Sequence, residues 1–235
     1  MPNIFAELND GQVSKTVTTS WADARDATDG TASSLGTNSS LAIRAHHGSA
    51  RGGGNQWSVH RSFFEFDTSG ISEAPESANL QIYGRSGYTV DFFVVKSIQT
   101  GGSDNSGGNL VAGDFDAIVG WSAGADNSSN VTKYSSEVES WASGYQTIAL
   151  NSTALSDMAS LDVFKICLID ADYDLPNTAP SSTSVSVGVY FANYTGTTRD
   201  PLISYSTGAY GNKVIGIDGP GKVIGIEDVE KVIGV

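Results

Sequence analysis

Apolar and polar residues alternate along much of this chain, with a period of two residues. The clearest stretch is 184–191, where four apolar residues are separated by one Ser, one Gly and one Tyr. Such alternation places every second side chain on one face of a β-strand. Further strands are predicted over residues 15–21, 41–45, 61–67, 78–83, 140–150 and 201–205, and one short helix over 153–160.

Two runs, residues 90–95 and 163–169, are apolar at nearly every position. Strands of this kind are expected to be covered on both faces. About eight to ten short strands joined by turns rich in Gly, Ser and Asn predict an all-β fold, an antiparallel jelly-roll β-sandwich. We assign this domain to residues 1–207, with residues 1–40 as a candidate extended N-terminal arm.

The last 23 residues repeat one five-residue phrase, Lys-Val-Ile-Gly-Ile/Val, at a strict nine-residue interval from Lys213, Lys222 and Lys231. A fixed period indicates a repeated structural unit. Three short strands cannot bury an apolar face alone, so residues 208–235 are expected to form a separate β-repeat tail that docks on the sandwich, a symmetry mate or another protein. The alternative is a flexible tail without a partner. The predicted assembly residues are Val214, Ile215, Ile217, Val223, Ile224, Ile226, Val232, Ile233 and Val235.

Charge and composition narrow the function classes. The chain has 235 residues, of which 39% are hydrophobic and 17% charged, and its net charge is −13. An acidic surface opposes binding to nucleic acids and to anionic membranes, so neither is an expected partner. The single cysteine, Cys167, lies in an apolar run and is predicted to be a buried thiol. No signal peptide is expected from the first residues.

Two neighbouring strands carry a family resemblance. Residues 61–71 read Arg-Ser-Phe-Phe-Glu-Phe-Asp-Thr-Ser-Gly-Ile, and residues 77–83 read Ser-Ala-Asn-Leu-Gln-Ile-Tyr. This pair resembles the central signature of DNRLRE-type β-sandwich modules, and residues 41–44, 141–151 and 199–205 are similar to the other landmarks of that family. The resemblance implies a jelly roll similar to carbohydrate-binding modules, which occur on bacterial surface proteins and on phage virion proteins.

The tail repeats are similar to those that end phage structural and fibre proteins. The two resemblances together imply a non-enzymatic structural protein on the exterior of a phage virion: a capsid decoration protein, a head fibre or a tail-fibre component. Made in the host cytoplasm, it would assemble with other virion proteins and with itself, a trimer being favoured because short repeats gain cover around a common axis. The alternative is a carbohydrate-binding or receptor-adhesion module that binds a cell-surface glycan.

Candidate ligand-binding residues are few. Trp141, Tyr145 and Tyr194 are aromatic positions suited to stacking on sugar rings. Asp170, Asp172 and Asp174 alternate like the start of a Ca²⁺ loop, but Leu175 stands where an EF-hand requires glycine. These three aspartates are therefore weak candidates for a looser Ca²⁺ site, the alternative being a solvated acidic turn. No other cofactor is expected.

The sequence has no motif of a known catalytic machinery. It contains no nucleophile elbow, phosphate loop or zinc motif, and no pair among its 26 acidic residues stands out. The adjacent His46 and His47 face opposite sides of a strand, and with His60 they are expected at the surface or in turns. Arg61 is expected to form a partly exposed ion pair with Glu65 or Asp67. We therefore expect no enzymatic activity.

Overall fold

The computed structural model describes residues 1–30, 32–34, 37–85, 90–100, 110–181 and 186–207. Within these ranges the strands are β1 (Asn3–Phe5), β2 (Gly11–Val17), β3 (Ala32–Ser34), β4 (Asn38–Ser49), β5 (Asn55–Asp67), β6 (Ser77–Arg85), β7 (Phe92–Lys96), β8 (Gly144–Ala149), β9 (Val163–Asp170), β10 (Val187–Tyr190) and β11 (Leu202–Ser206). The helices are α1 (Trp21–Arg25) and α2 (Ser152–Ser160). In these ranges neither helix has the length and apolarity needed to cross a membrane. The tail, and with it every predicted assembly residue, lies outside the described residues.

The strands form two antiparallel sheets that face each other. In the first sheet, β6 is central: β8 pairs along one edge, β11 and β10 share the other, and β1 lies beyond β11. In the second sheet, β5 is central. β2 pairs along one edge, with β3 beyond it, while β4 and β9 share the other edge, with β7 beyond β9. The predicted all-β antiparallel sandwich is confirmed, whereas its jelly-roll connectivity stays a prediction.

Strand β4 belongs to both sheets. Its first half, residues 38–43, pairs with β10 in the first sheet. Its second half, residues 44–49, pairs with β5 in the second sheet. One continuous strand therefore joins the two layers through backbone hydrogen bonds on both sides.

The main core lies between the sheets. Phe64 and Phe66 of β5 meet Leu80 and Ile82 of β6 there, and all four side chains are fully buried. The predicted inward faces of these strands are thus confirmed. Burying one side chain of this size contributes roughly 1.5–3 kcal/mol, so this core is the main source of stability.

A second core covers the outer face of the second sheet. Phe63, Val95 and Cys167 point into it and pack against α1 and the segment around Phe115. This cover explains why the two apolar runs have no polar face, and it confirms that Cys167 is buried. Burial raises the pKa of the Cys167 thiol far above its usual range.

The N-terminal segment differs from the sequence prediction. Residues 1–30 do not form a separate arm, because β1 pairs with β11 and β2 pairs with β5. The predicted strand over 15–21 ends at Val17, and α1 begins at Trp21. Ser20 caps this helix, because its side-chain oxygen accepts a hydrogen bond from the Asp23 amide at 3.1 Å.

Candidate functional site

A cluster of tyrosines occupies the outer face of the first sheet. Tyr83 of β6 and Tyr145 of β8 are direct partners across the two strands, so their side chains share a face. Their ring centroids lie 5.2 Å apart. Tyr190 of β10 meets Tyr83 edge to face at 5.4 Å, and Tyr194 meets Tyr190 at 4.9 Å. The four rings form one contiguous aromatic surface, which we call the tyrosine face.

Arg199 lies over this tyrosine face. Its guanidinium carbon is 4.6 Å from the ring centroid of Tyr190, 4.9 Å from that of Tyr194 and 5.0 Å from that of Tyr83. Such cation–π contacts contribute about 0.5–1 kcal/mol each at exposed sites. Within the described part of the chain, the guanidinium has no hydrogen-bond acceptor, so its planar donors are free to bind a ligand oxygen.

Tyr145 is the most accessible ring of the tyrosine face, with 38% of its surface exposed. Its hydroxyl donates a hydrogen bond to the carbonyl oxygen of Asp200 at 3.0 Å, which fixes the ring at the edge of the sheet. Burial raises the pKa of Tyr145, and the nearby Asp200 carboxylate raises it further. The hydroxyl therefore remains protonated at neutral pH and acts as a donor.

The structure separates Trp141 from the other two predicted stacking residues. Its indole packs edge to face on Phe92, at 5.3 Å between ring centroids, against the core between the sheets. Its N–H donates to the Gly188 carbonyl oxygen at 3.0 Å. Gly84 makes room for it, since a Cβ there would lie 2.9 Å from the indole nitrogen. Tyr145 and Tyr194 do belong to one surface, but Trp141 is a packing residue.

Three members of this surface, Tyr83, Tyr190 and Arg199, are not among the predicted stacking residues. The alternation that points Leu80 and Ile82 inward also points Tyr83 outward, so this tyrosine was predictable. Arg199 lies in the connection before β11, where no periodic signal applies.

The three aspartates proposed as Ca²⁺ ligands have separate roles. Asp170 is fully buried and accepts hydrogen bonds from the amides of Tyr173 and Asp174, at 2.6 and 3.0 Å. Burial raises the pKa of Asp170 to about 7. Asp174 binds Arg61. Only Asp172 is exposed, and the structure therefore does not support these residues as a joint site.

Asp172 instead lies beside Asp91 and Glu137, and one carboxylate oxygen from each falls within 4.8 Å of the others. Burial raises the pKa of Glu137, and the charges of Asp91 and Asp172 raise it further. This acidic group therefore concentrates negative charge next to residues 136–140. An exposed group of this composition is common in proteins without an ion.

A buried ion cluster holds the cover of the second sheet in place. Arg61 donates two hydrogen bonds of 2.8 Å to the Asp174 carboxylate. Arg25 lies 3.7 Å from the same carboxylate, and all three side chains are fully buried. Both guanidinium groups also contact the ring of Trp121, at 4.1 and 4.3 Å. The expected surface pairing of Arg61 with Glu65 or Asp67 is wrong.

The histidines are also less exposed than expected. His60 is buried and contacts Gln12 and the Ser58 hydroxyl, the latter at 2.8 Å. Burial lowers the pKa of His60 to about 3, so the ring stays neutral. His47 stacks on Trp57 at 3.8 Å between ring centroids. A surface or turn location is wrong for His60.

A scan against protein-family models finds no matching model, and a search of the curated proteins finds no match. The resemblance to DNRLRE-type modules therefore stays a prediction that depends on the two signature strands.

Proposed function

We propose that this chain is a non-enzymatic structural protein of the exterior of a phage virion, where it acts by protein–protein assembly. The observation that carries the proposal is the three-fold phrase at Lys213, Lys222 and Lys231. As a strand, each copy would place its third and fifth residues, both apolar, on one face. No copy has enough surface to form a sheet alone. Assembly onto an existing sheet satisfies both conditions.

The sandwich supplies a rigid body for such a role. Its two cores and its two sheets joined by β4 hold the end of β11 in a fixed place. A net charge of −13 keeps the proteins of a crowded particle surface soluble. On the particle, the chain would serve as a decoration protein, a head fibre or a tail-fibre component.

Light scattering coupled to size-exclusion chromatography tests the assembly step. We expect the full chain to elute as an oligomer, with a trimer favoured, and a variant lacking residues 208–235 to elute as a monomer. A matched control keeps the length and charge of the tail but replaces Ile215, Ile224 and Ile233 by Ser; it is expected to behave like the deletion. If the full chain elutes as a monomer, like the variant without residues 208–235, the proposal is contradicted.

The virion location has its own test. Antibodies raised against the sandwich are expected to label intact phage particles from the source culture, as seen by electron microscopy. Particles that contain no copy of the chain by mass spectrometry exclude this location even if the protein assembles.

A second candidate function, glycan binding, is favoured by the tyrosine face. Aromatic rings with an adjacent guanidinium that has free donors suit a sugar ring with polar or acidic substituents. On a glycan array, Tyr145→Ala is expected to bind about tenfold more weakly than the parent, a loss of about 1.4 kcal/mol. Phe5→Ala is the matched control, because Phe5 is an exposed aromatic residue outside the cluster. An array without any bound glycan eliminates this candidate.

A further inference from the structure

Among the described residues, strand β8 pairs with β6 alone and has one open edge. Its other edge pairs with β6, and the Leu150 amide donates to the Ala78 carbonyl at 2.9 Å in the same ladder. Hydrogen bonding alternates along an antiparallel strand, so Tyr145, Thr147 and Ala149 direct their backbone groups away from β6. Among the residues that the structure describes, none is a hydrogen-bond partner for these outward-directed groups.

A groove runs along this open edge. Its volume is about 520 Å³, and residues 146–149 of β8 form one wall while residues 136–140 form the other. The second wall is fixed by two backbone hydrogen bonds between Val138 and Phe92, of 2.9 and 3.2 Å. Soluble proteins usually protect such an edge, because unpaired backbone groups attract another strand. The groove leaves room for one.

The end of β11 lies at the corner of the first sheet from which the tail can reach this groove. Ser206 pairs with Ser77, and the next residue of β6 accepts the hydrogen bond of Leu150, so the chain leaves the sheet level with the carboxyl end of β8. A new strand beyond β8 lies three strand spacings away, about 14 Å. Residues 207–212 span up to about 20 Å when extended. A strand that starts there at Lys213 runs antiparallel to β8.

Charge favours the same arrangement. Glu137 and Glu139 are exposed on the outer wall of the groove. Burial raises the pKa of Glu137, and repulsion by Asp91 and Asp172 raises it further. A lysine ammonium in the groove offsets this repulsion. The first tail repeat supplies one lysine for these carboxylates. Its apolar residues can pack on the side of the groove where Ile148 lies, and its glycine allows close backbone approach.

We propose that the first tail repeat, residues 213–217, docks in the groove of its own chain as an added strand beside β8. The inference rests on the proposed role of the repeats as added strands. The second and third copies then project from a fixed point at the sheet edge, available to a partner.

Disulfide trapping in the full chain tests the docking. Thr147→Cys, at an exposed position of the open edge, is combined in turn with Val214→Cys, Ile215→Cys and Gly216→Cys. Two cysteines form a bond only when their Cα atoms come within about 7 Å. The native Cys167 is buried and does not compete. We expect at least one pair to give a cross-linked monomer, seen as a shifted band without reductant and as a loss of two hydrogens by mass spectrometry.

The matched control places the first cysteine at Asn55, an exposed residue of the β4–β5 hairpin in the other sheet, with the same tail cysteines. Equal trapping at both sites, or none at Thr147, overturns the proposal. Cross-linked dimers in place of monomers also overturn it, because they assign the groove to the repeat of a second copy.

Charge reversal provides a second readout. Glu137→Lys with Glu139→Lys is expected to lower the yield of the cross-link several-fold, and Lys213→Glu added to them is expected to restore it. An unchanged yield overturns the charge argument. Failure of docking is distinguishable from failure of assembly: trapping without a tail-dependent oligomer contradicts only the assembly, and an oligomer without trapping contradicts only the docking.

Discussion

The buried ion cluster gives a prediction that depends on three side chains. In Asp174→Asn the side chain keeps its size but loses the charge that Arg61 and Arg25 face inside the protein. The amide nitrogen of the new asparagine also points a donor at a guanidinium that itself only donates. Breaking a buried ion pair from one side costs about 3–5 kcal/mol, because the remaining charge is left without compensation.

The structure justifies the upper part of this range. Arg61 is fully buried and directs both of its 2.8 Å charge-assisted bonds at Asp174. Its further bonds, to the carbonyl oxygens of Phe115 at 2.7 Å and Arg25 at 3.1 Å, carry no full negative charge. Domains of this size have free energies of unfolding of about 5–15 kcal/mol, so the loss is a large fraction of the total.

Urea unfolding followed by tryptophan fluorescence measures the effect, and Trp121 reports it directly because both guanidinium groups contact its ring. Asp29→Asn is the matched control. It removes the same charge from the exposed Lys15–Asp29 pair, whose N···O distance is 3.0 Å and whose aspartate is 65% exposed. Less than about 1 kcal/mol is expected for this control. An Asp174→Asn variant that loses no more stability than the control would show that the buried cluster does not stabilise the fold.

Three further predictions concern pH and packing. The pKa of His60 is about 3 in the folded chain and about 6.5 when unfolded. The folded state therefore binds fewer protons, and the free energy of unfolding falls as pH drops from about 6.5 to about 3. In urea titrations, His60→Asn should lose less stability between pH 7 and pH 4.5 than the parent. The pH dependence due to Asp170 has the opposite sign, since its pKa is raised to about 7 from about 3.9. The free energy of unfolding therefore falls as pH rises from about 4 to about 7. If Asp170→Asn shows the same slope of this free energy against pH as the parent, the prediction is wrong. Gly84→Ala would bring a Cβ to 2.0 Å from the Ala142 carbonyl oxygen, whereas Gly70→Ala meets nothing within 4 Å; thermal unfolding should show a loss of about 1–3 kcal/mol for the first and a far smaller change for the second.

The strand faces were predictable because their signal is local. A two-residue period decides which side chains face inward, and Phe64, Phe66, Leu80 and Ile82 follow it. The apolar run at 90–95 also announced a cover on both faces, which the second core supplies. What covers the second face was not predictable, because the segment around Phe115 has no period of its own.

Partners that are distant in sequence were the main failure. Arg61 was assigned a neighbour on its own strand, but its partner Asp174 is 113 residues further along. Alternation places Arg61 on the side of Phe63, and only the position of the second core shows that this side is buried. The tyrosine face was predicted only in part for a related reason. β6, β8 and β10 lie side by side because of the strand order in the sheet, which no single strand reveals.

The passage of β4 from one layer to the other has a mechanical consequence. A force that pulls the layers apart acts along a single peptide segment that is bonded to β10 at one end and to β5 at the other. To separate the layers, β4 must be torn from its ladder with β10 or from its ladder with β5. Under stretching in an optical trap, the two layers should therefore rupture in one step instead of unfolding one after the other.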